Sequence, residues 1–213
     1  MMKILKVAIA DDHPVVRKGV SSILSSDPGI EVTAEYESAS GLMGELPQAT
    51  WEALVLDINL RDGNGVELTQ QIVQQRPNSK VLILSIYPEE QYALRAMKAG
   101  AMGYLNKESI PEKLVDAVLR IGSGKRFISE ALADLLARQA LNDDTEEPHH
   151  RLSDREFQVL CLLAAGKGNQ EIASHLFVST KTVSTYRSRI LVKLGLETTA
   201  DLIRYALNKE LLP

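Results

Sequence analysis

Five short aliphatic runs alternate with longer segments of helical period between Ile4 and Lys107, and this alternation constrains the fold more than any other feature of the 213-residue chain. Val7-Ala-Ile-Ala10, Ile30-Glu-Val-Thr-Ala34, Ala53-Leu-Val-Leu56, Val81-Leu-Ile-Leu84 and Gly103-Tyr-Leu105 read as strands. Three of them are almost continuous apolar runs, the pattern of strands in a parallel sheet covered by helices on both faces. Between them, Asp12-His13-Pro14 puts a capping side chain beside a first-turn proline, and Leu68, Ile72 and Val73 recur at helical spacing before Pro77. Ser109-Ile-Pro-Glu112 has the spacing of a capping box and opens a helix over Glu112 to Ile121. Successive βα units predict an α/β doubly wound, parallel five-stranded sheet, whose sites lie at the carboxyl ends of its strands.

The polar residues at those ends carry the chemistry. Strand one runs into Asp11-Asp12, strand three into Asp57, strand four into Ser85, and strand five leads to Lys107. Singly, each would serve as an ordinary cap or turn former; together they place three carboxylates, a hydroxyl and an amine on one rim. Clustered carboxylates repel one another and call for a cation, and an all-oxygen set favours Mg²⁺ over zinc or copper.

The rest of the chain has another character. Gly122-Ser-Gly124 breaks the helical pattern, Ser129 to Ala140 reads as a short apolar helix, and Asn142 to Pro148 is an acidic, proline-ended tether. The boundaries that follow are 1–123 for the first domain, 124–148 for a linker with a short helix, and 149–213 for a small all-α domain. His149-His150 is expected to be exposed linker without a metal role. Beyond it, Ser153-Asp-Arg-Glu156 offers a capping box, Asn169 a cap for Gln170 to Leu176, and Ser179 a cap for Thr180 to Leu194, which stops at Gly195. Thr199 to Leu207 gives a last helix. Two helices joined by three residues form a helix-turn-helix, whose second helix enters the major groove of DNA.

Charge separates the halves. Residues 1–150 hold 15 Lys plus Arg against 22 Asp plus Glu, a net −7, while 151–213 hold 9 against 6, a net +3. Nucleic acid is the natural partner of the basic part. On the second helix of the motif, Lys181, Thr182, Ser184, Thr185, Arg187, Ser188, Arg189 and Lys193 are hydroxylic or cationic and none is acidic, a set suited to phosphates and base edges of duplex DNA. With no uncharged apolar run near 18 residues, no membrane span is expected. Met1 to Lys6 leads into a strand rather than a signal-peptide core, so the expected location is the cytoplasm. Cys161 is the only cysteine, which excludes an intramolecular disulfide and predicts a buried, inert thiol.

Residues 4–122 resemble the receiver domain of bacterial two-component response regulators, through the acidic pair, the mid-chain aspartate, the hydroxyl and the lysine in that order. The resemblance implies a flavodoxin-like fold with Asp57 as phosphoacceptor. It also implies that Asp12, Asp57 and the backbone carbonyl of Asn59 hold Mg²⁺, with Asp11 completing the acidic pocket. Lys107 would pair with the phosphoryl oxygens, Ser85 would hydrogen-bond them, and Tyr104 matches the aromatic that turns inward when the hydroxyl moves. Many receivers carry a proline shortly after the phosphoacceptor; the segment Asp57-Ile-Asn-Leu-Arg61-Asp-Gly-Asn-Gly65 lacks it, and with it that source of loop stiffness. Residues 150–207 look like a LuxR-type DNA-binding domain through Leu152-Ser-Asp-Arg-Glu156, Asn169-Gln-Glu-Ile-Ala173, Thr182-Val183 and Lys193-Leu-Gly195, with Ser184 and Tyr186 where many relatives have lysine and histidine. The whole chain is thus similar to the NarL/FixJ class. That class implies a sensor histidine kinase as phosphoryl donor, a homodimer in the phosphorylated state, RNA polymerase as a further partner, and no enzymatic turnover.

Other functions fit less well. An aspartate-nucleophile phosphatase would want a second aspartate two residues after Asp57, where Asn59 stands, and a flavodoxin-like cofactor site would want a phosphate loop where Asp11-Asp12 would repel the phosphate. A receiver working through protein contacts without phosphorylation would have no need of the acidic pocket.

Overall fold

The computed structural model describes residues 4–141, 147–209 and 211. It divides into two units, Met1–Ala140 and Leu141–Pro213. The first contains β1 (Leu5–Ala10), α1 (Pro14–Leu24), β2 (Ile30–Tyr36), α2 (Ala39–Glu45), β3 (Ala53–Asp57), the two-residue strands β4 (Asn59–Leu60) and β5 (Gly63–Asn64), α3 (Gly65–Gln75), β6 (Lys80–Ser85), α4 (Glu89–Lys98), β7 (Gly103–Asn106), α5 (Ile110–Gly122) and α6 (Glu130–Leu141). The main sheet is parallel throughout, in the order β2-β1-β3-β6-β7, while β4 and β5 form a separate antiparallel pair.

Side-chain alternation explains why the runs are apolar on every position. Val7, Ile9, Ala53, Val55, Leu82, Leu84 and Leu105 form one core with Val20 and Leu24 of α1 and Leu114, Val118 and Ile121 of α5. The residues between them, Ala8, Ala10, Leu54, Leu56, Val81 and Ile83, are just as buried, so helices cover the other face too. Strand order reverses at β1, which pairs with both β2 and β3, and the crevice beyond the carboxyl ends of β1 and β3 is where a doubly wound sheet places its ligand.

Local chemistry departs from expectation in three places. Pro14 does open α1, but the N-cap is His13 and no side chain caps it; the Asp11 carboxylate instead accepts from the His13 amide at 2.8 Å. Ser109 makes no capping box with Glu112, because Lys107–Ser109 winds into a 3₁₀ turn that leads directly into α5. The chain after Gly124 also returns to the sheet: Phe127 forms a parallel bridge to Gly103, its amide donates to the Met102 carbonyl at 2.8 Å, and its ring joins the core with α5. The helix read from the sequence as part of a linker therefore begins from a segment sewn to β7, with the Ser129 hydroxyl accepting from the Leu132 amide and bonded to Glu89 at the start of α4. Most of the acidic tether, residues 142–146, lies outside the described residues.

The second unit is helical: α7 (Asp154–Ala164), α8 (Asn169–His175), α9 (Thr180–Leu194) and α10 (Thr199–Asn208). Ser153 and Glu156 form the expected capping box, Ser179 accepts from the Thr182 amide, and Gly195 ends α9 in the left-handed conformation at φ 66°. Gly168 rather than Asn169 caps α8, its amide held by the Glu171 carboxylate at 2.8 Å. The core gathers Phe157, Leu160, Cys161, Ile172, Val183, Ile190, Leu202 and Ala206, and the thiol is buried as expected. His149 overturns its assignment to exposed linker. It is 7% exposed, with Nδ1 3.0 Å from the Tyr205 hydroxyl and its ring stacked on Phe157.

Candidate functional site

At the carboxyl end of β1 the chain leaves strand geometry and bends at Asp12, and at the end of β3 it presents Asp57. The side-chain oxygens of Asp11, Asp12 and Asp57 and a ring nitrogen of His13 lie within 4.8 Å of one another. All three aspartates are buried. Lys107, just beyond β7, reaches between two of them, with Nζ 2.8 Å from Asp11 Oδ2 and 2.9 Å from Asp57 Oδ2. One ammonium thus bridges two carboxylates, and the His13 ring, which the sequence reading did not single out as a site residue, stands beside the other oxygens of the cluster. The His13 Nδ1 stands 2.8 Å from Asp12 Oδ1 but is 65% exposed and forms no hydrogen bond to it, so that buried oxygen keeps no hydrogen-bond partner. An orphaned buried carboxylate oxygen inside an acidic cluster is what an oxygen-seeking cation would satisfy, so the residues present fit Mg²⁺.

Burial dominates the electrostatics of Asp57, pushing its pKa from 3.8 to about 6, with the Lys107 ammonium opposing and Asp11 adding to the rise. Burial would lower Lys107, but the facing carboxylates outweigh it and raise its pKa. In EDTA the folded protein therefore holds the Asp57 proton to higher pH than the unfolded chain. Stability linked to Asp57 is full below pH 4 and is lost as the pH rises through 6, by roughly 2–3 kcal/mol. The difference in unfolding free energy between parent and Asp57→Asn should fall by that amount between pH 4 and 6 and stay flat above; a flat difference throughout would contradict a raised Asp57.

The loop after Asp57 finds its stiffness without proline. Asn59 pairs with Asn64, the Asn64 side chain caps α3 through the Val66 and Glu67 amides, and Asp62 accepts from the Ala39 and Ser40 amides at 2.6 and 2.9 Å. Burial works against Asp62, yet the Ser40 and Ala39 hydrogen bonds hold its pKa below the usual range. A Cβ on Gly65 would stand 2.5 Å from the Asp57 carbonyl oxygen, backbone against backbone. Gly65→Ala is thus expected to cost about 1–3 kcal/mol and to shift the Asp57 backbone, read by urea unfolding through Trp51 fluorescence.

Ser85 and Tyr104 are both fully buried. The Ser85 hydroxyl accepts from the Tyr87 amide at 3.0 Å, and the Tyr104 hydroxyl donates to the Tyr87 carbonyl at 2.8 Å, so the ring is turned inward. Burial raises the Tyr104 phenol well above its ordinary range. Tyr87, not singled out in the sequence, is the hub. Its hydroxyl accepts from Asn59 Nδ2 at 3.4 Å and its ring stacks on Tyr92 at 4.8 Å, joining the loop after β3 to α4.

In the second unit, α9 carries the basic, hydroxyl-rich face. Lys181, Thr185, Ser188 and Arg189 are exposed, Thr182, Ser184 and Arg187 half-buried, and none of Lys181, Arg187 and Arg189 is in an ion pair among the described residues. Ser184, Thr185 and Ser188 donate to carbonyls one turn back, which fixes their rotamers and turns acceptor lone pairs outward. Asn169 Nδ2 reaches Ser184 Oγ at 3.4 Å, tying α8 to α9. Lys193 differs: its side chain is 40% exposed, but its ammonium lies 2.6 Å from the buried Glu156 carboxylate. Burial would lift the Glu156 pKa, but hydrogen bonds from Lys193 and Ser153 hold it down. Glu156→Ala removes both the ion pair and half the capping box, an expected loss of about 2–3 kcal/mol. Because the only tryptophan, Trp51, lies in the first unit, the destabilised unfolding of the second unit should appear in far-UV circular dichroism and not in its fluorescence.

Comparison with known proteins decides the family. A profile described as response regulator receiver domain matches residues 7–119, and one described as bacterial regulatory proteins, luxR family, matches 150–206. The chain belongs to the response regulators. This response regulator is 36% identical over 215 residues to the oxygen regulatory protein NreC of Staphylococcus carnosus, covering 98% of this chain and 99% of NreC. It is 38% identical over 194 residues to the DNA-binding transcriptional activator DevR/DosR of Mycobacterium tuberculosis, covering 91% and 89% of the two chains. RcsB from Salmonella enterica serovar Typhimurium, solved bound to promoter rprA in the presence of the phosphomimetic BeF₃⁻, is similar at a TM-score of 0.64 and 26% identity over 95% of this chain and 98% of that one. A further RcsB structure, 28% identical with a TM-score of 0.59, holds two RcsB dimers on two parallel DNAs. With a receiver fold followed by a LuxR-type helix-turn-helix, the response regulator is a DNA-binding transcription regulator controlled by phosphorylation.

Proposed function

We propose that Asp57 accepts the phosphoryl group and that the observation carrying this role is the Lys107 ammonium bridging the buried Asp11 and Asp57 carboxylates. An Asp57 carboxylate oxygen attacks phosphorus, forming the acyl-phosphate O–P bond as the P–N bond of a phosphohistidine on a sensor histidine kinase breaks. With acetyl phosphate the P–O bond breaks and acetate leaves. Lys107 lies where it can follow the transferred oxygens, and the Ser85 hydroxyl, which accepts from the Tyr87 amide, keeps its proton to donate to them. Asp11, Asp12 and Asp57, with the Asn59 carbonyl, would hold Mg²⁺, which neutralises charge on the attacking carboxylate and the phosphoryl oxygens. Reorganisation of Ser85, Tyr87 and Tyr104 then carries the new charge to α4.

The same reading assigns the output to α9, with Lys181, Arg187 and Arg189 on phosphates and Thr182, Ser184, Thr185 and Ser188 toward base edges. Lys193, held by Glu156, contributes by fixing α9 in the domain. The phosphorylated protein acts as a homodimer on duplex DNA, a role supported by the RcsB dimers on DNA, with RNA polymerase as a further partner. Functional boundaries near 1–123, 124–148 and 149–213 accompany this assignment, as does a regulatory rather than enzymatic role. No described helix is long and apolar enough to cross a membrane, which supports a cytoplasmic location. Selecting random duplexes with the protein, treated or untreated with acetyl phosphate and Mg²⁺, tests the whole scheme. A common sequence should be enriched with phosphorylation; equal recovery from both samples would sink it.

A further inference from the structure

Arg17 lies outside every role assigned above, yet it is buried against the acidic pocket, its side chain 10% exposed. It stands in the first turn of α1, three residues after Pro14. Its Nη1 donates to the Asp11 carbonyl at 2.7 Å, while Nε and Nη2 face Glu35 and Glu37 at 3.4 and 3.5 Å. Those two carboxylates are 40% and 80% exposed, so they orient the guanidinium more than they hold it. The short bond to the carbonyl is the strong one.

That carbonyl is the point on which the acidic pair depends. Successive residues of a strand point to opposite faces, so Asp11 and Asp12 could not both reach one site if β1 simply continued. The chain instead bends at Asp12, and the turn is held on and around the Asp11–Asp12 peptide: the Asp11 amide, in the preceding peptide, donates to the Tyr36 carbonyl at 3.1 Å, the His13 amide, in the following one, to Asp11 Oδ1 at 2.8 Å, and the Asp11 carbonyl, in that peptide itself, receives Arg17. Only the last of these bonds comes from a long, flexible side chain, and it is the one charge-assisted contact to that peptide. We infer that Arg17 is a positioning residue for the pocket: its fork keeps the Asp11–Asp12 peptide turned so that both carboxylates serve one Mg²⁺. The inference rests on the reading of that pocket as a Mg²⁺ site. Coulomb repulsion between a guanidinium and Mg²⁺ would act in the opposite sense, and the two effects give opposite outcomes on removal of Arg17.

The test titrates Mg²⁺ alone into the full-length protein by calorimetry, for the parent, Arg17→Met and Arg17→Lys. Groups that orient metal ligands typically change affinity by roughly 10- to 100-fold, so Arg17→Met should bind Mg²⁺ that much more weakly. Arg17→Lys, which keeps one donor, should fall between. With acetyl phosphate, the Mg²⁺ concentration for half-maximal phosphorylation should rise by the same factor while the rate at saturating Mg²⁺ returns to that of the parent. A merely structural residue would lower the unfolding temperature and leave Mg²⁺ affinity unchanged. If Arg17→Met does not fold, the Mg²⁺-induced rise in unfolding temperature of Arg17→Lys carries the test and should be smaller than that of the parent. Affinity equal to or tighter than the parent's in the folded variants overturns the inference alone. A parent that binds no Mg²⁺ overturns the pocket reading beneath it.

Discussion

Incubated with Mg²⁺ and acetyl phosphate, the full-length protein is expected to gain one phosphate by intact-mass spectrometry, and Asp57→Asn none. The amide matches the carboxylate in size and can still meet Lys107, so the variant should fold; what it lacks is the anionic oxygen that attacks phosphorus. The neighbouring carboxylates cannot substitute. Asp11 Oδ1 is engaged by the His13 amide and its Oδ2 by Lys107, and Asp12, next to Asp11 at the end of β1, is assigned to holding Mg²⁺. Lys107→Ala separates the roles further. Without its ammonium, Asp11 and Asp57 face each other with no positive charge between them, and the transferred oxygens lose their donor, so the phosphorylation rate should fall roughly 10²- to 10³-fold. Its readout is the rate of mass gain at saturating Mg²⁺. Phosphate gained by Asp57→Asn at the parent's rate would move the acceptor elsewhere.

How much of this was legible in the sequence differs between the sheet and its rim. The strands were readable because parallel strands buried on both faces must be apolar at consecutive positions, and Val81-Leu-Ile-Leu84 has no other economical use. Their carboxyl ends could be named as a site because topology alone brings Asp11, Asp57 and Lys107 to one edge. The contacts that tune the rim could not be read. Arg17 and Gly65 act on backbone atoms, the Asp11 carbonyl and the Asp57 carbonyl, and a sequence pattern of side chains does not show which peptide needs a partner or space. Tyr87 follows Ser85 by two residues and looks like ordinary packing until its carbonyl is found holding Tyr104.

Caps divide on the same principle. Ser153 and Ser179 cap as expected because their backbones are extended, at ψ 161° and 153°, whereas Ser109 closes the 3₁₀ turn that follows β7 and stands at ψ 5°, where its side chain makes no cap. His149 looked like tether because an acidic stretch precedes it, but its ring fits between Phe157 and Tyr205, residues 8 and 56 positions away. Lys193 read as a DNA contact because it is a cation on the second helix of the motif; its partner Glu156 lies 37 positions earlier and is visible only in the fold.

Phosphorylation is expected to raise affinity for a two-half-site duplex by roughly 10²- to 10⁴-fold, with little change for a single half-site. The second unit, Leu141–Pro213, presents one recognition helix, α9, so a single copy buries a small area on DNA and binds weakly. Two copies held together make the second contact intramolecular, and its effective concentration supplies that gain without any new contact. The DNA should then show half-sites about one helical turn apart, mirroring the two-fold axis of the dimer. Light scattering with and without beryllofluoride should record a doubling of mass, and footprinting should extend from one half-site to two. The electrostatic part can be isolated: replacing exposed Lys181 with alanine removes one phosphate contact per subunit and should flatten the slope of log affinity against log salt by about 0.9 per contact for every sequence alike. Ser184→Ala or Thr185→Ala should instead change the preference among sites. A phosphorylated protein that stayed monomeric on and off DNA while protecting a single half-site would refute the dimer and leave the switch to act within one chain.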